Sequence, residues 1–230
     1  IVSHLHIALV RQKYNAAGGA ERFVSRAIQA LANDGAQITL LTRKWENLQG
    51  MQAIRLNPFY LGNVWRDASF ARAVCRVQQS QSFDLVQSHE RLACCDVYRA
   101  GDGVHREWLA QRRRVLSPPG KLSLLLNPYH HYVLAAEARM FRSPRLKTVI
   151  CNSKMVKAEI QHYFGLPDER FEIIYNGIDT DRFHPGLRQQ HRAHMRQQMG
   201  LTPEQPVFLY VGSGFERKGV AQALQAVAQA

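Results

Sequence analysis

Two glycine turns and a pair of cations hold most of the chemistry this sequence offers. Gly18 and Gly19 follow an apolar strand at 4–11 and precede residues 20–33, where Phe23, Ala27, Ala30 and Leu31 recur at helical spacing. Paired glycines there let a phosphate approach the main chain, and the helix N-terminus supplies free N–H groups and positive dipole. A tight turn needing positive φ would use the same residues. Gly212, Ser213 and Gly214 repeat the arrangement after a second apolar strand at 206–213, with Arg217 and Lys218 where the next helix begins. Cations oppose the dipole at that end. A bound diphosphate would turn them into stabilisers of departing negative charge; otherwise they begin a solvated basic helix. A dinucleotide fingerprint fits poorly, because the glycines at 18 and 19 are adjacent, no third follows, and the second strand ends in Thr42-Arg43 instead of an acid.

Such turns need an alternating scaffold. Strands are expected at 4–11, 37–42, 53–56, 84–89, 96–101, 148–153 and 171–175, with helices at 20–33, 66–82 and, capped by Ser153, up to residue 163. That order predicts an α/β fold, a Rossmann-like domain with an open parallel sheet wound on both faces. Its ligands belong at the carboxyl ends of the strands, which draws attention to Gly18-Gly19, His89, Asp102 to His105, Ser153 and Asn176. Residues 1–177 would form this domain, 178–205 a polar, arginine-rich linker with a helix at 189–199, and 206–230 the start of a second Rossmann-like domain. A lone strand and helix cannot bury their apolar faces, so that second domain is expected to be incomplete.

At 230 residues, 46% hydrophobic and 21% charged, the composition fits a soluble globular chain. No apolar run approaches the roughly 20 residues of a membrane span, and no signal peptide opens the sequence, so a cytoplasmic setting is expected. Cys75, Cys94, Cys95 and Cys151 lack zinc-site spacing and are expected to be reduced and buried. No Asp/His cluster suggests a metal site. The net charge of +12 points to a polyanionic partner. Nucleic acid is disfavoured, because no helix-turn-helix, zinc or RNA-recognition signature accompanies the charge.

In order and spacing, Gly18-Gly19-Ala20-Glu21-Arg22, Tyr175-Asn176-Gly177-Ile178-Asp179, and Gly212-Ser213 leading to Arg217-Lys218-Gly219 resemble retaining nucleotide-sugar glycosyltransferases of family 4, whose GT-B architecture faces two Rossmann-like domains. Phe215-Glu216-Arg217-Lys218-Gly219-Val220, and Asp102 within Arg99-Ala100-Gly101-Asp102-Gly103, are similar to the lipopolysaccharide-core glucosyltransferases of that family. The resemblance implies that Gly18 and Gly19 line the cleft near the donor diphosphate. It implies that Arg217 and Lys218 bind that diphosphate, with Arg182 a further phosphate contact. Asp102 would face the donor sugar or the acceptor hydroxyl, with His105 beside it; these two are the catalytic candidates. The plainer readings are a turn former between glycines for Asp102 and a loop histidine for His105, while Glu21 suits either a helix-start charge or a ligand contact. The resemblance further implies retaining, metal-independent transfer of a hexose, with UDP-glucose as substrate and no cofactor. The family's distal pair of glutamates has no counterpart by spacing, so residues 1–230 alone are expected to be inactive.

The positive charge is concentrated. Nine Lys and Arg but only two Glu fall between residues 106 and 147, interleaved with Trp108, Leu122, Leu124 to Leu126, Tyr129, Tyr132 and Phe141. This mixture suits an interface with anionic lipid, with Trp108, Arg112, Arg113 and Arg114 as its candidates, although residues 133–141 would equally pack on their own domain. A glycolipid acceptor would call for such a surface on the inner face of the cytoplasmic membrane. The rival expectation is a non-catalytic basic module that binds membrane or a partner.

Overall fold

The computed structural model describes residues 5–14, 27–45, 52–212, 214–216 and 218–229. In chain order the strands are β1 (His6–Val10), β2 (Lys13–Tyr14), β3 (Gln37–Thr42), β4 (Lys44–Trp45), β5 (Gln52–Arg55), β6 (Leu85–Ser88), β7 (Val97–Ala100), β8 (Thr148–Cys151) and β9 (Phe171–Ile173). The helices are α1, described over 27–33, then α2 (Gly62–Ser80), α3 (His105–Val115), α4 (Pro118–Leu126), α5 (Pro128–Phe141), α6 (Lys154–Phe164), α7 (Leu187–Gln198) and α8 (Val220–Gln229). Residues Ile1–Gly177 and Ile178–Ala230 form two compact units.

Seven strands of the first unit form one parallel sheet in the order β5-β3-β1-β6-β7-β8-β9, while β2 and β4 pair separately. Strand side chains alternate between faces, and both faces of this sheet are covered. Ile7 and Leu9 of β1 pack with Ile28, Ile38 and Leu40 on one side. Ala8 and Val10 join Phe70 and Val74 of α2, Met140 and Phe141 of α5, and Val156 and Ile160 of α6 on the other. Two covered faces explain why β1 and β3 read as mostly apolar runs, with Thr39 and Thr42 buried among the apolar side chains. The expected cap is present: Ser153 Oγ accepts from Val156 N at 3.2 Å, and α6 stops at Gly165, whose φ of 65° suits its lack of a Cβ.

Two expectations change. Cys75 on α2 and Cys94 in the turn after β6 are joined as a disulfide, although both were expected reduced; Cys95 and Cys151 are buried thiols. The fold brings the two α-carbons to 5.7 Å, a proximity that a spacing of 19 residues does not announce. The strand expected at 206–213 is not formed over 206–212, where Val207, Phe208, Leu209 and Val211 are exposed. A strand exists through a neighbour's main-chain bonds, and among the described residues none lies beside it. Of the two readings for residues 133–141 in the basic, apolar span, the structure takes packing on their own domain. α5 buries Val133, Ala136, Met140 and Phe141 in its own domain, whereas α3 and α4 bury no residue.

Candidate active site

The chain leaves β1 toward β3 and leaves β6 toward β7, so the neighbours β1 and β6 flank the sheet's switch point, the place where open α/β sheets bind ligands. His89 follows β6, its N–H donating to Val10 O at 3.1 Å. Burial, reinforced by Arg11 and Arg99, lowers its ring to about 3 and holds it neutral. The buried Arg99 of β7 donates through Nη2 to Asn176 Oδ1 at 2.6 Å, past the end of β9. Asn152 Nδ2, past the end of β8, donates to Gly101 O at 2.7 Å.

The turn from Gly101 to His105 is gripped from behind by two carboxylates. Glu159 Oε2 on α6 accepts from Val104 N at 3.0 Å, and a methyl on Gly103 would overlap that same oxygen. Both oxygens of Glu137 on α5 accept from His105 N at 3.1 Å, and Oε1 also accepts from Arg91 Nε at 2.9 Å. These amides are the first of α3 and have no partner within the helix; anions at a helix start also complement its dipole. Glu137 is 2% exposed, and burial pushes its carboxyl up against the pull of Arg91 and of the His105 amide. Burial works against the Arg91 charge too, but Tyr98 and Glu137 hold that guanidinium above its ordinary value.

The grip leaves Asp102 exposed at the tip of the turn. His105 Nε2 lies 3.0 Å from His130 Nδ1, and its ring stacks on Trp108 with centroids 5.4 Å apart. Burial, then Arg91 and His130, lower His105 to about 4, so near neutral pH it can accept or relay a proton but carries no charge. Asp102, His105 and Trp108 thus share one turn and the helix it starts. Arg112, Arg113 and Arg114 occupy the last turn of α3, where cations complement the dipole.

Arg182 and Lys218 lie in the second unit. Arg182 N donates to Asp179 Oδ1 at 3.1 Å, and its guanidinium lies over Phe183. Lys218 Nζ lies 5.8 Å from the Tyr210 ring centroid and covers Gly212, where a Cβ would collide with it. Gly18, Gly19, Glu21 and Arg217 lie outside the described residues. Glu137, Glu159 and Arg91 were not anticipated. One signal did exist: Glu137 falls on the apolar stripe of Val133, Ala136 and Met140, where an acid needs a buried partner.

A parallel doubly wound domain with polar turns at the carboxyl edge is the kind of domain from which GT-B glycosyltransferases are built. Residues 17–182 match the model of Glycosyltransferase Family 4, and the chain belongs to that family. It is 28% identical over 224 residues to the lipopolysaccharide glucosyltransferase WaaG of Escherichia coli K12, an alignment covering 96% of this chain and 58% of that protein. A crystal structure of WaaG, described as a glycosyltransferase involved in lipopolysaccharide biosynthesis, superposes with a TM-score of 0.76 at 27% identity, over 96% of this chain and 59% of that one. The catalytic domain of starch synthase IV from Arabidopsis thaliana, bound to ADP and acarbose, shares the fold at a TM-score of 0.50 and 12% identity, over 89% of this chain and 61% of that one. The chain therefore spans a little under three fifths of the length of WaaG.

Proposed function

We propose that the natural protein containing this chain transfers a hexose, glucose from UDP-glucose, to a lipopolysaccharide-core or similar glycolipid, with retention and without a metal or other cofactor. The carrying observation is the turn at the carboxyl edge of the sheet, which presents Asp102 to solvent while Glu137 and Glu159 fix its main chain. A nucleoside diphosphate already leaves readily, so the protein's tasks are to orient the acceptor hydroxyl and to stabilise developing phosphate charge. Asp102 would accept a hydrogen bond from the sugar or the acceptor hydroxyl, with the neutral His105 beside it. Gly18, Gly19, Arg182, Arg217 and Lys218 would receive the diphosphate. Kinship with an enzyme named for lipopolysaccharide glucosylation supports the choice of donor sugar and acceptor.

α3 and α4 would rest on an anionic membrane, the inner face of the cytoplasmic membrane in this reading. Trp108, Leu122, Leu125 and Leu126 are exposed beside Arg113, Arg114 and Lys121 on helices with no fully buried residue, which is the composition of an interfacial surface. No helix among the described residues is long and apolar enough to cross a membrane.

The test is glucose transfer from UDP-glucose to a core glycolipid by the full natural chain and by its Asp102→Asn variant. The expected result is a loss of at least about a hundredfold in kcat with donor affinity retained, the scale of a removed positioned polar group. Undiminished turnover in the variant would refute the role of the turn.

A further inference from the structure

The segment joining β5 to α2 carries exposed apolar side chains on a rigid support. Phe59 is 77% exposed, Leu61 76%, Trp65 48% and Tyr60 40%. The Phe59 and Trp65 rings meet edge-on with centroids 5.4 Å apart, so the residues form one knob. Beneath it lies Arg43, 1% exposed. Its Nη1 donates to Asn57 Oδ1 at 2.9 Å and Pro58 O at 2.8 Å, and its Nη2 to Arg66 O at 2.8 Å and Ser69 Oγ at 3.1 Å. The guanidinium also lies 4.6 Å from the Tyr60 ring centroid. A buried cation is costly unless its donors are used; here the two terminal nitrogens bind both ends of the knob, while Nε is left without a partner. The apolar tip is thus held outward by the core, where a loose loop could have folded it away.

From these observations we infer that residues 59–65 are a second membrane contact, which inserts Phe59 and Leu61 at the acyl boundary and sets Tyr60 and Trp65 at headgroup depth. The inference rests on the membrane reading of α3 and α4. Charge complementarity selects an anionic bilayer: Arg55, Arg66, Arg72 and Arg76 accompany a single acid, Asp67, between residues 52 and 76. Bulky apolar tips with Trp and Tyr behind them and arginines around them match the depth profile of an interface. Continuity supports the same occupant. Tyr129 OH donates to Asp67 Oδ2 at 3.1 Å, two residues beyond Trp65 on one side and three beyond Leu126 on the other. The knob and the leucines of α4 therefore flank one hydrogen bond.

The experiment uses the full natural chain with all tryptophans but one replaced by Phe, leaving either Trp65 or Trp108. Each protein is mixed with phosphatidylcholine vesicles with and without phosphatidylglycerol, and bromolipids serve as quenchers. A blue shift and quenching of Trp65 on the anionic vesicles are expected. Phe59→Ser with Leu61→Ser, both exposed positions, should weaken partitioning at least about tenfold, from the apolar area withdrawn from the interface. A silent Trp65 beside a responding Trp108 overturns the knob and leaves the α3–α4 surface standing. Silence of both overturns the membrane reading and the knob with it. A Trp65 that answers a soluble core oligosaccharide but not vesicles also overturns the proposal and makes the knob a sugar platform.

Discussion

Substitution of Glu137 separates the cost of a lost acceptor from that of a stranded charge. In Glu137→Ala, Arg91 keeps its charge with its nearest carboxylate gone from 2.9 Å, and the His105 amide loses both oxygens it donates to. Removing one partner of a buried ion pair costs about 3–5 kcal/mol, and orphaning a buried amide about 1–3 kcal/mol. The two overlap, because water can reach Arg91, whose side chain is 31% exposed; about 3–5 kcal/mol in total is expected. Glu137→Gln keeps the shape and one carbonyl acceptor, and it relieves the desolvation that raises the carboxyl pKa. Its expected cost is therefore only about 1–2 kcal/mol. For a chain of this size each 1 kcal/mol lowers Tm by about 2–4 °C, so thermal unfolding followed by circular dichroism resolves the two variants. Hydrogen exchange adds a local reading: the His105 amide should exchange faster in the Ala variant than in the Gln variant, while that of Val104, held by Glu159, stays slow. Equal melting of the Ala and Gln variants, or an Ala variant within about 1 kcal/mol of the parent, would refute the claim that this carboxylate anchors the turn.

Gly103→Ala should drive Glu159 off the Val104 amide and cost about 1–2 kcal/mol; a chain that melts with the parent would mean the carboxylate has room to yield. His89 carries a pH dependence. Its folded ring titrates at about 3, whereas an unfolded one titrates at about 6.5. Between those values the unfolded chain binds the extra proton, so the contribution is complete above about pH 6.5 and lost as pH falls toward about 3. Burial of the ring is incomplete, which limits this loss to about 2 kcal/mol. His89→Gln should flatten the fall in Tm between about pH 7 and about pH 4, and parallel curves for variant and parent would rule out His89 as its source.

What the sequence revealed and what it hid follow from range. β3 and β8 were legible because a strand covered on both faces is an apolar run whatever its neighbours, and the Ser153 cap because its bond spans three residues. The grip on the turn that bears Asp102 was not, because its bonds cross 55 and 32 residues and a pairing at that distance leaves no local pattern. The same holds for Cys75 and Cys94. At 206–212 the pattern reported strand preference truthfully but could not report whether a partner strand would be there. Within 106–147 the sequence did mark 133–141 as a stretch that could pack inward, but composition alone left that choice to the structure.

The turn that bears Asp102 is held by its main chain. Glu137 and Glu159 bind the amides of His105 and Val104, and an amide offers the same N–H under almost any side chain. The residues at 102 and 105 can therefore be exchanged without moving the platform beneath them, whereas the glycine at 103 and the two acids behind it cannot. Such a division separates tolerance from invention: if the turn acts as proposed, selection could rewrite what residues 102 and 105 contact while their placement stays put, and a library built on that proposal would vary 102 and 105 and leave 103, 137 and 159 alone.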